Sequence, residues 1–209
     1  MTIEELVEDG LNLIRDDAHH DLRLSLRRRI WAALDETRVE SSARIGHARR
    51  VTLAVLAVEK VLPLWEALLP EDRAPHESLG VVREVMAGTV AAAAAARIAG
   101  EVWTHCDNLA SRYSGENQSV ILVGYAAVQV IHLALSDEFL SSNSADADID
   151  VDPYEHDPWC CAAAAYSRGS IWQDQSDSKK RLEFWTWWLT SAVASAISGT
   201  DRRGDRAAL

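Results

Sequence analysis

Residues 120–136 read VILVGYAAVQVIHLALS, the longest weakly polar run in the chain. Only Gln129 and His132 interrupt it with strongly polar side chains. The run is too short and too polar for a convincing membrane span, which needs about 20 predominantly apolar residues. We therefore expect residues 120–136 to form a buried central helix.

The composition of the whole chain also favours helices. Of 209 residues, 48% are hydrophobic and 25% are charged, as in soluble globular proteins. Alanine is abundant, Gly and Pro are scarce, and β-branched residues do not cluster into alternating runs. A chain of this length can bury a sizeable core. The sequence predicts an all-α fold, a single-domain helical bundle of about eight helices over residues 1–198.

Caps, turn residues and apolar periodicity place the helix boundaries. Thr2 and Glu5 have the spacing of a capping box, and Asp157-Pro158 is typical of a helix start. Pro63 predicts a kink or break near Val61. The predicted helices lie at about 2–14, 21–37, 41–69, 76–97, 101–112, 118–140, 158–166 and 178–198. An acidic loop precedes the last two helices, and residues 199–209 are expected to form a disordered tail.

Charge is unevenly distributed along the chain. The formal net charge is −11, yet residues 15–50 hold nine arginines, including Arg27-Arg28-Arg29 on the polar faces of the second predicted helix. Residues 113–167 contain no Lys or Arg, and DADIDVDPYEHD at 146–157 carries six carboxylates. Phosphate binding needs a basic face, so we expect no direct binding of nucleic acid. The acidic stretch 146–157 is either a docking surface for a basic partner or a solvated connector.

The aspartates of this stretch have the spacing of ligands in a calcium loop. They are Asp146, Asp148, Asp150 and Asp152. However, Val151 stands where the sharp turn needs glycine, Pro153 follows, and Asp157 replaces the bidentate glutamate. We therefore expect no metal site and no cofactor, with weak divalent-ion binding as the alternative.

The remaining reactive residue types form no catalytic motif. The histidines show no metal-binding spacing, and His105-Cys106-Asp107 should point in different directions around a helix. Cys160 and Cys161 lie in an apolar segment where cysteine acts as a small hydrophobe, although the helix start could lower a thiol pKa. We expect a protein that is not an enzyme. The alternative is a metal-dependent helical hydrolase that combines the acid cluster with His132 or His156.

The cysteine usage and the N-terminus bear on location. Three cysteines, two of them adjacent, make no disulfide framework. MTIEELVEDG carries acids where a signal peptide carries basic residues, and no apolar region follows it. We therefore expect a cytoplasmic protein.

Aromatic residues concentrate in KKRLEFWTWWL at 179–189. Their helical spacing gives an apolar arc of roughly two-thirds of the circumference, which is wider than the stripe of an ordinary surface helix. The residues of this arc are Leu182, Phe184, Trp185, Trp187, Trp188, Leu189 and Val193. We expect most of these rings to pack in the core and Trp187 to take part in an interface. A homodimer seam along this helix is the alternative.

Three stretches carry a family pattern. They are AVEKVLPLWEALLPEDRAP (57–75), VGYAAVQVIHLALSDE (123–138) and DPWCCAAAAYSRGSIWQDQSDSKKRLEFWTWWLTSAV (157–193). Together they resemble the fifth catalogued immunity-protein family of bacterial polymorphic toxin systems, over about residues 45–198. Cys160-Cys161 depart from the bulkier aromatic or polar residues usual in the family at that point.

The resemblance implies a mostly α-helical protein that neutralises a cognate toxin made by the same cell. Many secreted toxin domains are nucleases with basic surfaces, which an acidic protein could occupy by steric and electrostatic occlusion. The expected partner is the toxin domain, without direct contact to nucleic acid or membrane, and the protein itself is a monomer or homodimer. The predicted partner-binding residues are Asp137, Glu138, Asp146, Asp148, Asp150, Asp152, Glu155, Asp157 and Trp187. A self-associating structural protein is the alternative outside the enzymes.

Overall fold

A computed structural model describes residues 1–35, 42–136 and 157–199 of the chain. Within these ranges the backbone forms helices joined by turns, with no strand. The predicted all-α fold is therefore confirmed. Residues 200–209, most of the predicted disordered tail, lie outside the described ranges.

Nine α-helices lie in the described ranges. They are α1 (Ile3–Asp16), α2 (Leu24–Ala33), α3 (Ser42–Leu68), α4 (Ala74–Ala87), α5 (Ala92–Ala110), α6 (Glu116–Val120), α7 (Leu122–Leu135), α8 (Pro158–Tyr166) and α9 (Ser178–Trp187). A π-helical turn at Trp188–Ala192 follows α9, and the helix resumes over residues 193–199. Both predicted caps are present. Thr2 and Glu5 form the capping box of α1, and the Asp157 carboxylate caps α8.

Helix α7 lies at the centre of the fold. It packs against α3, α4, α5 and α8, and its buried residues occur on all sides of the helix. The segment Glu116–Leu135 is long and apolar enough to cross a membrane, but 67% of its most apolar 18-residue window is buried inside the protein. We interpret it as a core helix, which confirms the predicted buried central helix.

Two predicted boundaries around the alanine run are wrong. Helix α4 ends at Ala87 and not at Arg97 as predicted. It is capped by Gly88, whose φ of 68° is left-handed. The N–H groups of Gly88 and Thr89 donate to the carbonyls of Val85 and Glu84 at 3.0 and 2.9 Å, which satisfies the end of α4. Glycine takes this conformation without steric cost, so it ends the helix. Helix α5 then continues through Gly100, where the second boundary was predicted, because its alanines favour helix strongly.

Pro63 was expected to kink or break the helix near Val61. Helix α3 continues past Pro63 to Leu68, so the chain does not break there. Proline removes the N–H that would bond to the carbonyl of Glu59. Both Pro63 and Glu59 are exposed, so water can reach that carbonyl. The hydrogen bond is lost on the solvent side, where its loss costs least.

Gly124 of α7 packs closely against Trp65 of α3 and Cys106 of α5. A Cβ there would collide with Cys106 Sγ and lie 3.0 Å from a ring carbon of Trp65. We expect Gly124→Ala to lower the free energy of unfolding by about 1–3 kcal/mol, because the added methyl group would overpack the core. The control Gly100→Ala adds a Cβ with no heavy atom within 4 Å. It should stabilise the helix by up to about 1 kcal/mol. Urea unfolding measures both variants, and effects of the same sign would contradict the prediction.

Candidate functional site

The aromatic residues of α9 belong mainly to the core. Phe184, Trp185 and Trp188 are each 0% exposed. The ring centroid of Trp185 lies 5.2 Å from that of Phe184 and 5.7 Å from that of Trp188, in edge-to-face contacts. The predicted core packing of these rings is confirmed. The alternative of a homodimer seam loses its main support, because these rings are already covered within one chain.

Trp187 is half-buried on the side of α9 that faces α3. Its ring centroid lies 5.6 Å from Phe184, and Lys60 Nζ lies 5.2 Å from the centroid in a cation–π contact. Only part of the ring is therefore open to a partner. The role of Trp187 in partner binding stays a prediction.

Asp157 lies inside the protein, although it was predicted to contact a partner. Its Oδ2 accepts hydrogen bonds from Arg27 Nε at 2.9 Å and Nη2 at 2.7 Å. Its Oδ1 accepts from the backbone N–H of Cys160 at 2.5 Å. Asp157 is 1% exposed and Arg27 is 0% exposed. We correct the prediction for Asp157: its carboxylate caps α8 and neutralises Arg27, so it is not available at the surface.

The other predicted partner-binding residues lie outside the described part of the chain. They are Asp137, Glu138, Asp146, Asp148, Asp150, Asp152 and Glu155. The calcium-loop alternative and His156 fall in the same stretch. The docking role of the acidic stretch therefore stays a prediction from sequence.

An acidic groove of about 720 Å³ lies where the α3–α4 turn meets α5. Half-buried apolar side chains and four carboxylates line it, together with one exposed cation, Arg73. The carboxylates outnumber the arginine, so the lining is acidic overall. The apolar residues are Leu68, Leu69, Ile98 and Val102, and the carboxylates are Glu71, Asp72, Glu77 and Glu101. His105 Nε2 donates to Asp72 Oδ2 at 2.6 Å, and Arg97 pairs with Glu101 at 2.5 Å. The remaining carboxylates could accept hydrogen bonds from Lys or Arg of a partner.

The structure places several of the reactive side chains that the sequence singled out. Across the described ranges, no three His, Cys, Asp or Glu side chains gather as metal ligands. Burial raises the pKa of the Cys106 thiol to about 12, and the charges of Asp72 and Asp107 act in the same direction. The thiol therefore stays protonated and is a poor nucleophile. Burial lowers the pKa of His132, so its imidazole is neutral at pH 7. His105 and Cys106 face different surroundings, as predicted, since His105 lines the groove and Cys106 is buried.

A second surface feature is the loop between α8 and α9, residues 167–177, which we name the tryptophan loop. It carries Trp172, whose side chain is 48% exposed. In the sequence this residue lies between the predicted helices 158–166 and 178–198, and no role was predicted for it. The available signal was an aromatic residue between the turn-forming residues Gly169-Ser170 and Asp174, where no apolar periodicity demands burial.

Buried hydrogen bonds fix the backbone of the tryptophan loop. Arg181, which is 3% exposed, donates through Nη2 to the carbonyl of Gly169 at 2.6 Å and to Ser176 Oγ at 2.8 Å. The N–H of Asp177 donates to the carbonyl of Ser167 at 2.7 Å and closes the loop. Arg181 Nη1 also lies 3.7 Å from Asp21 Oδ1, which ties the loop to the connection between α1 and α2. Trp172 is thus presented by a preorganised backbone.

A cleft of about 320 Å³ adjoins Trp172. It lies between the tryptophan loop and the connection from α1 to α2. Its polar lining includes His19, Gln173, Asp174, Ser176 and Ser178. The cleft can therefore offer hydrogen-bond acceptors beside an exposed indole ring.

The described surface combines an acidic groove with an exposed tryptophan on a fixed loop. Exposed aromatic side chains and charged rims of this kind are common at protein–protein interfaces. The model of the immunity protein Imm5 family matches residues 7–195, and the chain belongs to this family. The resemblance is confirmed, and its extent is corrected, because the match includes α2 and most of α1. No curated protein matches the chain. Membership in the family indicates toxin immunity and implies binding of a cognate toxin protein.

Proposed function

We propose that this protein binds its cognate toxin in the cytoplasm of the producing cell and blocks the toxin's working surface without catalysis. The observation that carries the proposal is the family match over residues 7–195. The net charge of −11 supports a basic partner surface, as a nuclease needs for its phosphate-bearing substrate. The acidic groove supports the same partner chemistry.

Electrostatic complementarity and aromatic contacts would contribute differently to such a complex. Opposite charges steer the encounter and raise the association rate. Apolar side chains that lose water at the centre of the interface slow dissociation, and most affinity differences arise there. The toxin would be inhibited because its substrate cannot reach the covered surface.

The test is co-expression with a candidate toxin domain, chosen from the genes that neighbour this one. Cells that produce the active toxin should grow only when the immunity protein is present. Purified immunity protein should abolish toxin activity at a one-to-one ratio, because occlusion is stoichiometric. A catalytically inactive toxin is the control for growth. Failure to rescue growth, with both proteins soluble, would refute the proposal.

The acidic stretch gives a prediction about the toxin complex. Replacing Asp148, Asp150 and Asp152 with Lys should weaken toxin binding by about tenfold or more and flatten its salt dependence. Affinity measured at several salt concentrations tests this. The matched control is Glu8, Glu59 and Glu84 replaced with Lys, since all three are exposed and the net charge changes equally. An unchanged affinity in the aspartate variant would refute the docking role. Equal losses in both variants would assign the effect to total charge.

A further inference from the structure

We propose that Trp172 is the central anchor of the toxin interface. Its indole ring would insert into an apolar recess on the toxin. A Lys or Arg side chain beside that recess would enter the adjoining cleft and meet Asp174. This inference rests on the proposed function and names the surface and partner chemistry that carry it out.

Exposure distinguishes Trp172 from the other tryptophans. All eight lie in the described residues, and the other seven are buried or half-buried within the chain. Tryptophan is favoured as an interface anchor because it buries a large apolar area through few rotatable bonds. Trp172 keeps about half of that area in water, so covering it would contribute to binding.

Preorganisation makes this tryptophan a better anchor than an exposed side chain on a mobile loop. Arg181 and the contact between Asp177 and Ser167 hold both ends of the tryptophan loop. The N–H of Ser170 donates to Gln173 Oε1 at 2.8 Å and fixes the turn around Trp172. Because the backbone is already ordered, association costs little conformational entropy.

The cleft indicates which groups the partner presents around the recess. Asp174 is an exposed carboxylate beside Trp172, and Gln173 and Ser178 also line the cleft. Arg181, the cationic residue of the lining, is buried and hydrogen-bonded to the loop backbone. A partner cation next to an apolar recess therefore fits the cleft, and such a cation is expected on a basic toxin surface.

The first experiment compares affinities by titration calorimetry with the purified toxin domain. Trp172→Ala should weaken binding about 30-fold or more, and Asp174→Asn should weaken it several-fold. The control Met86→Ala removes another exposed apolar side chain, 39% exposed at the end of α4, and should change affinity by less than about threefold. Circular dichroism and thermal melting of each free variant should match the wild type, which separates a contact from a folding defect.

The second experiment observes the ring directly in the full chain. The eight tryptophans are labelled with 5-fluorotryptophan, and the Trp172 signal is assigned from Trp172→Phe. A soluble paramagnetic agent should broaden this signal in the free protein and leave it sharp in the toxin complex. If wild type binds toxin while Trp172 stays broadened or Trp172→Ala binds equally well, the inference is wrong and the proposed function stands. If wild type does not bind the toxin domain, both are wrong.

Discussion

Arg27→Met and Asp157→Asn should each lower the free energy of unfolding by about 3–5 kcal/mol. The pair is fully buried, with Arg27 Nη2 2.7 Å from Asp157 Oδ2. Removing one partner leaves the other charge in an interior where water cannot solvate it. Asn at 157 keeps a side-chain oxygen that can still cap α8, so its expected effect comes from the lost charge.

The double variant measures the interaction between Arg27 and Asp157 apart from the contacts that each residue makes with its other neighbours. The double variant Arg27→Met with Asp157→Asn should lower the free energy of unfolding by clearly less than the two single changes added together. The reason is that the double variant leaves no uncompensated charge in the interior. Urea unfolding of the four proteins gives this coupling energy. The exposed pair Arg97–Glu101 is the control, and Glu101→Gln should change the stability by about 0.5 kcal/mol or less. Single variants at the buried pair that are as mild as this control would contradict the prediction.

The buried pair belongs to a polar network that joins the two ends of the chain. Arg27 Nη1 also donates to the carbonyl of Leu22 at 2.5 Å. On the other side, Asp21 accepts from the indole N–H of Trp185 at 3.1 Å and lies near Arg181. The start of α2 is thus tied to both α8 and α9.

Local signals in the sequence were sufficient for much of the fold. The capping box at Thr2 and the Asp157-Pro158 start both occur as predicted, because a cap involves only residues a few positions apart. The buried helix α7 was also predictable from its apolar run. The break at Gly88 was missed since alanines on its C-terminal side mask it with strong helix propensity.

Contacts between distant segments could not be predicted in the same way. Arg27 and Asp157 are 130 positions apart, and periodicity placed the arginine run on polar faces. Whether a charge on a helix faces water or a buried carboxylate depends on which helix packs there. The same limit applied to the aromatic residues. Helical spacing predicted that most rings of residues 179–189 lie in the core and that Trp187 takes part in an interface. It could not show that Trp187 is half-buried beside Lys60 while Trp172, in the loop before α9, is exposed.

Trp185 lies where the polar network meets the aromatic core, since it donates to Asp21 and packs against Phe184. Trp185→Ala should lower the free energy of unfolding by about 3–5 kcal/mol, because it opens a large cavity in a site that is 0% exposed. Trp185→Phe should cost less, about 1–3 kcal/mol, since it fills most of the space but removes the donor to Asp21.

The same ring also contacts Arg27, whose guanidinium carbon lies 5.5 Å from the ring centroid. Because both residues share one network, the effects of Trp185→Phe and Arg27→Met should not add, and the double variant should be less destabilised than their sum. Urea unfolding measures each step, and near-UV circular dichroism follows the packing of the rings. Trp172→Phe serves as the exposed control and should leave stability nearly unchanged. Strict additivity would show that Trp185 stabilises the fold through apolar burial alone, independently of the charges beside it.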